Sequence, residues 1–228
     1  MGNMSMRKII TICLPLPYKL GIVNCYLIET DIGYILIDTA CSNKRAELEK
    51  ELESAGCKPS NLKLIILTHG DFDHTGNAAY LREKFGARIA MHHGDSGMSE
   101  RGDMFCNRRK GNILLGMMAR ILFRFGKMER FKPDLYIDEG FDLSEYGFDA
   151  KVLHIPGHSK GSIGILTAGG DLFCGDLLEN KEKPVLGSIM DDLTAANESV
   201  KKLKELRIKT VYPGHGRGFP IELFMKQF

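Results

Sequence analysis

Leu64-Ile65-Ile66-Leu67-Thr68-His69-Gly70-Asp71-Phe72-Asp73-His74-Thr75-Gly76-Asn77 is the stretch on which the reading of this chain turns. Its first four residues form an apolar run that gives way to turn formers, the pattern of a buried strand. Where the run stops, His69, Asp71, Asp73 and His74 fall within six positions. Imidazoles and carboxylates crowded on one short loop carry a large local cost unless something satisfies them. That mixture of nitrogen and oxygen donors suits zinc, iron or manganese. The loop therefore reads as half of a metal site set at a strand end.

The other half is expected at later strand ends, and three segments have the chemistry. Val152-Leu153-His154-Ile155-Pro156-Gly157-His158 breaks at a Pro-Gly turn and delivers His158. Leu172-Phe173-Cys174-Gly175-Asp176 ends in a Gly-Asp step, and Thr210-Val211-Tyr212-Pro213-Gly214-His215 repeats the strand, Pro-Gly, His arrangement. Gly and Pro punctuate strands at turns, so each donor is placed just past a sheet edge.

With these motifs in this order the sequence resembles the metallo-beta-lactamase superfamily, whose members carry a His-x-His-x-Asp-His loop, a Gly-His turn, a Gly-Asp turn and a final Gly-His turn. The resemblance runs from about Ile22 to Gly216. It implies one metal held by His69, Asp71 and His158, a second held by Asp73, His74 and His215, and Asp176 bridging the two. The sequence departs from the family pattern at Asp71, where an imidazole is usual. That carboxylate is similar to the loop of the diiron flavoproteins of the superfamily; zinc stays the default of two divalent ions, with iron and manganese raised behind it. The implied fold is a four-layer αβ/βα sandwich with the metals in a cleft along one sheet edge.

Length and composition agree with that expectation. At 228 residues and 43% apolar, the chain suits a single domain with one substantial core. A formal net charge of +2 gives no general attraction to polyanions. The six cysteines, at 13, 25, 41, 57, 106 and 174, form no Cys-x-x-Cys pair and read as free thiols in a reducing compartment, so a cytoplasmic location is expected. Arg7 and Lys8 precede the short run Ile9 to Leu14, which ends at Pro15 and reads as a first strand, not as a leader or membrane span.

Strands are expected near 8–14, 22–29, 33–38, 88–91, 134–138, 150–155, 163–167 and 171–174, with helices near 43–55, 76–85 and 192–206. This alternation makes an α/β protein. Residues 97–132 stand apart. From Glu100 to Lys132 nine basic residues face three acidic ones, and ten of the thirteen residues from Ile113 to Phe125 are apolar. A helical insertion is expected there, serving as a lid, a homodimer contact or a membrane-surface helix; it is too short to span a bilayer.

Two cations bridged by one carboxylate acidify a water between them and polarise a carbonyl or phosphoryl oxygen. Asp73 is the candidate catalytic residue, orienting that water or taking its proton. The expected activity is hydrolysis of an ester, thioester, lactone, amide or phosphodiester of a small molecule. A diiron oxidoreductase is the alternative, with an external electron donor because no flavodoxin segment is seen. A nuclease or phosphodiesterase is a further one, weakened by basic residues that are not interleaved with base-stacking aromatics. Glu179 stands where quorum-signal lactonases of the superfamily have Tyr, and no C-terminal helical substrate domain of the glyoxalase type is evident after His215. Lys160 reads first as a solvated lysine and second as a contact for an anionic substrate group; Asp38 is placed to orient a ligand, and His92, His93 and His154 to play structural parts or to support a ligand.

Overall fold

The apolar run from Leu64 to Leu67 is hydrophobic on both faces, and both faces are covered. A computed structural model describes residues 8–16, 21–106, 108 and 129–226. One sheet is built from β1 (Ile9–Pro15), β2 (Ile22–Thr30), β3 (Gly33–Ile37), β4 (Leu62–Ile66), β5 (Arg88–Met91) and β6 (Leu135–Tyr136), side by side in chain order. β1, β2 and β3 are antiparallel neighbours, and β3 to β6 run parallel. The second sheet has the order β13-β12-β9-β8-β7, from β7 (Ala150–His154), β8 (Ile163–Thr167), β9 (Asp171–Gly175), β12 (Thr210–Pro213) and β13 (Phe219–Pro220). β10 (Leu178–Asn180) and β11 (Pro184–Leu186) form a separate short hairpin.

Side-chain alternation sorts the apolar residues into three layers. Ile35, Ile37, Leu64 and Ile66 of the first sheet meet Val152, Ile163, Ile165 and Phe173 of the second, which makes the core between the sheets. The opposite faces of the same strands present Leu36, Leu62 and Ile65 to Leu48 and Leu52 of α1 (Arg45–Ser54) and to Leu81 and Phe85 of α3 (Ala78–Phe85). The second sheet turns Leu172, Cys174 and Val211 toward Ala196, Val200 and Leu203 of α5 (Leu193–Lys204) and Phe224 of α6 (Ile221–Met225). The result is helix, sheet, sheet, helix, as expected. Each fully buried Leu or Ile contributes about 1.5–3 kcal/mol, so the central strands hold both interfaces at once.

Helices near 43–55, 76–85 and 192–206 are found at Arg45–Ser54, Ala78–Phe85 and Leu193–Lys204. α5 begins at Asp192, whose Oδ1 accepts the N–H groups of Thr194 and Ala195, both at 3.0 Å. α4 (His93–Arg101) was not anticipated, nor were the β10–β11 hairpin and α6. The apolar segment Ile113 to Phe125 lies outside the described residues. Among the described residues no helix is long and apolar enough to cross a membrane.

Candidate metal centre

Four strands end beside one another and carry the polar cluster. β4 leads through Thr68 into His69, Asp71 and α2 (Phe72–Thr75), which holds Asp73 and His74. β7 leads to His158, β9 to Asp176 and β12 to His215. The close approach of these turns restricts what can stand in them. Gly157 has φ +144° and lies against Ala196, where a Cβ would come within 2.5 Å of the Ala196 Cα. At Gly214 a Cβ would collide with the Asp176 carboxylate.

All seven residues expected from the sequence converge here. Asp176 Oδ2 is 3.1 Å from His215 Nε2 and 3.9 Å from His69 Nε2, and its Oδ1 is 3.3 Å from His74 Nε2. Asp73 Oδ2 lies 3.5 Å from His215 Nε2 and 3.9 Å from His74 Nε2. Asp71 Oδ2 is 3.1 Å from His158 Nε2 and 3.8 Å from His69 Nε2. Donor atoms fall into two groups of cation-binding size, one of His69, His158 and Asp176 and the other of Asp73, His74 and His215. Asp71, expected in the first group, lies beside it and is also engaged by Arg108.

Each of the four imidazoles spends Nδ1 on an oxygen. His74 Nδ1 is 2.8 Å from Asp38 Oδ2, His158 Nδ1 is 2.7 Å from the Ile189 carbonyl, and His215 Nδ1 is 2.7 Å from the Ile22 carbonyl. His69 Nδ1 is 2.9 Å from Thr68 Oγ1, whose own proton goes to Asp38 Oδ2 at 2.8 Å. Carbonyl and carboxylate oxygens only accept, and the Thr68 hydroxyl has already donated, so in every case Nδ1 carries the hydrogen. The Nε2 atoms therefore point inward, each with a lone pair to offer a cation once the ring is neutral. His69 Nε2, His74 Nε2 and Asp176 Oδ1 are buried with no hydrogen-bond partner among the described residues. Buried polar atoms left open in this way are costly unless a cation meets them. The donor set fits a pair of transition-metal ions.

Charges inside the cluster are strongly perturbed. Burial opposes ionisation of Asp176, yet His215 and His74 hold its carboxyl well below the usual range. Burial also works against charge on His215, but Asp176 raises it to about 9. For Asp73 burial wins and pushes the carboxyl up. Asp71 goes the other way, held low against burial by Arg108 and His158.

Asp38, expected to orient a ligand, accepts from the Thr68 N–H at 2.8 Å as well as from Thr68 Oγ1 and His74. It sits at φ 62°, a left-handed conformation that Asp tolerates better than most residues. Two further residues escaped the sequence. Asp95, fully buried, accepts from the Gly70 N–H at 2.9 Å, from Ser159 Oγ at 2.6 Å and from the Gly161 N–H at 2.8 Å, so it ties the His69 loop to the His158 turn. Its position just past β5 repeats the strand-end signal that marked the other donors. Arg108 enters from beyond α4, and nothing in the local sequence marks it. Lys160 is exposed, and its carbonyl accepts from His154 Nε2 at 2.9 Å.

His92, His93 and Asp138 make another compact group, with the His154 ring stacked on His92 at 4.3 Å. Here the wiring is reversed. His92 Nδ1 accepts the Gly94 N–H at 3.0 Å, so neutral His92 carries its hydrogen on Nε2, which lies 3.2 Å from Asp138 Oδ1. Burial and the neighbouring His154 and His93 keep His92 neutral by lowering its pKa. A protonated Nε2 has no lone pair for a metal, so neutral His92 in this tautomer is not a ligand, although its Nε2, like those of His69 and His74, is buried with no hydrogen-bond partner among the described residues.

Residues 18–215 match the profile of the metallo-beta-lactamase superfamily. The chain belongs to this superfamily. It is 30% identical over 159 residues to a hydroxyacylglutathione hydrolase, GloC, of Haemophilus influenzae, an alignment covering 68% of this chain and 66% of that protein. It is 27% identical over 203 residues to a beta-lactamase-like protein 2 homolog of Caenorhabditis elegans, covering 89% of this chain and 58% of that protein. The chain thus spans just under two thirds of the one relative and less of the other. Among solved structures, it is similar to a protein crystallised in a di-iron-bound form, with a TM-score of 0.71 and 28% identity, covering 94% of this chain and 96% of that one.

Proposed function

We propose that the chain is a metal-dependent hydrolase of small-molecule thioesters or esters. Its centre holds one ion between His69, His158 and the Asp71 side of the cluster, and a second at Asp73, His74 and His215. The observation that carries this reading is the common wiring of the four imidazoles, each with Nδ1–H bound to an oxygen and Nε2 turned toward the same space. Two divalent cations bound there supply Lewis-acid polarisation of a carbonyl oxygen and acidification of water. Asp176 spans both groups and screens their mutual repulsion. Asp73 directs Oδ2 at His74 and His215, and its second oxygen is the one to take a proton. Asp38 and Asp95 hold the loops without touching substrate.

Similarity to a hydroxyacylglutathione hydrolase brings thioesters forward, against the expectation drawn from the residues after His215. The test is hydrolysis of hydroxyacyl-glutathione thioesters, simple esters, lactones and phosphodiesters by protein stripped with chelator and reloaded with zinc, iron or manganese. Turnover of a thioester or ester that vanishes with the metal and returns on reloading is the expected result; turnover of phosphodiesters alone would replace this reading with the phosphodiesterase one. Iron is favoured as the ion by the carboxylate at Asp71 and by the di-iron form of a similar protein. Electron uptake from a reductant in the iron-loaded protein, with no hydrolysis under any metal, would instead support the oxidoreductase reading.

A further inference from the structure

One basic side chain reaches into the cluster from outside the ligand set. Arg108 is only 9% exposed, and its Nη2 lies 2.6 Å from Asp71 Oδ1, 2.7 Å from Asp71 Oδ2 and 3.2 Å from His158 Nε2. Its Nη1 faces Asp191 Oδ1 at 3.7 Å. With Nδ1–H committed to the Ile189 carbonyl, His158 Nε2 is an acceptor when the ring is neutral, the state in which it would ligate a cation. One guanidinium nitrogen thus donates toward both oxygens of Asp71 and the inward lone pair of His158. These are the atoms that a cation in the first subsite would use.

Arginine cannot give way by losing its proton, since its guanidinium stays charged at any pH a protein survives. A guanidinium and a divalent ion on the same carboxylate repel each other. The residue at position 71 makes the contact possible: a carboxylate offers two oxygens to a guanidinium, whereas an imidazole offers one nitrogen at most. The departure of this loop from the family pattern and the presence of Arg108 are then two halves of one arrangement.

We propose that Arg108 competes with the first-subsite metal for Asp71 and His158, so that the subsites fill unequally. The ion at Asp73, His74 and His215 binds first, and the other enters only when the guanidinium is displaced. This inference rests on the two-ion reading of the centre and sharpens it.

Zinc titration of the metal-free full chain, in competition with a chromophoric chelator, tests it. Wild type is expected to show one tight and one weak equivalent. Arg108→Met, neutral and of similar length, is expected to tighten the second equivalent on the order of 10- to 100-fold, the range for losing a charged hydrogen bond, with the first unchanged. Two equivalents of unaltered affinity in Arg108→Met would overturn the competition while leaving the two-ion centre standing. If wild type and variant both stop at one equivalent, the two-ion centre fails, and Arg108 is shown not to limit the count. Should Arg108→Met not fold, Arg108→Gln carries the test: it is neutral, so the second equivalent is expected to tighten relative to wild type, and an unchanged value overturns the proposal.

Discussion

Two clusters of histidine and aspartate sit at neighbouring strand ends, and they differ in what stands behind the buried rings. In the cluster of His69, His74, His158 and His215, every Nδ1 faces an oxygen able to accept its hydrogen. In the cluster of His92, His93, His154 and Asp138, the buried His92 accepts a backbone N–H at Nδ1 instead. Residue types and spacing are similar in the two places. The partner behind His92 sets it apart from the other four rings, because it decides which nitrogen of a neutral imidazole keeps a lone pair.

The largest effect that would break this contrast is at the shared carboxylate. Asp176→Ala is expected to reduce bound metal to one equivalent or less, and to lower activity by more than the roughly 10- to 100-fold that loss of an outer partner costs. Elemental analysis of the purified variant with full metal content would remove Asp176 from its bridging position. A subtler change exchanges the wiring itself. Asp38→Asn keeps a residue that tolerates the left-handed backbone but turns an acceptor into an amide that can donate toward His74 Nδ1, imposing on His74 the state now seen at His92. Metal affinity is expected to fall about 10- to 100-fold, measured by chelator competition, with little loss of helix and sheet signal in circular dichroism. The smallest effect is expected in the other cluster. His92→Ala should leave metal content intact and cost about 1 kcal/mol of stability in urea unfolding through the lost cap on α4. A fall in bound metal in that variant would mean that the contrast drawn from Nδ1 is mistaken.

Much of the centre was legible in the sequence because its donors lie directly after apolar strands and are flanked by Gly or Pro, a local signal. The seven residues named from the motifs all arrive at one place, and the sheet and helix segments bearing them fall within a few residues of the expected spans. What escaped depends on partners far away in the chain. The segment His93–Arg101 is polar and contains two glycines by its first turn and a half, so it lacks helical periodicity; it is helical because His92 caps it and Asp95, Met98 and Ser99 are buried against the rest of the molecule. Asp95 acquires its role from Gly70, Ser159 and Gly161, none of them local. Three-residue strands such as Leu178–Asn180 and Pro184–Leu186 are too short to show alternation. Asp71 was expected among the ligands of the first ion and lies beside the group of His69, His158 and Asp176, and its pairing with Arg108 required the fold.

The His215 ring is set by the Ile22 carbonyl across 193 residues, and its turn is further held by Asn24 Nδ2, which donates to the Pro213 and Gly216 carbonyls at 2.9 and 2.8 Å. During synthesis, the loop with His69 and His74 leaves the ribosome long before the segment that completes their site. An ion met by the nascent chain can find at most the early donors, with Asp176 and His215 still to come. A complete donor set therefore requires the chain through His215, and contacts closed over such long loops are slow to form. Of the donors, those that the early loop brings are in place for folding first, and those of the second sheet close the set last.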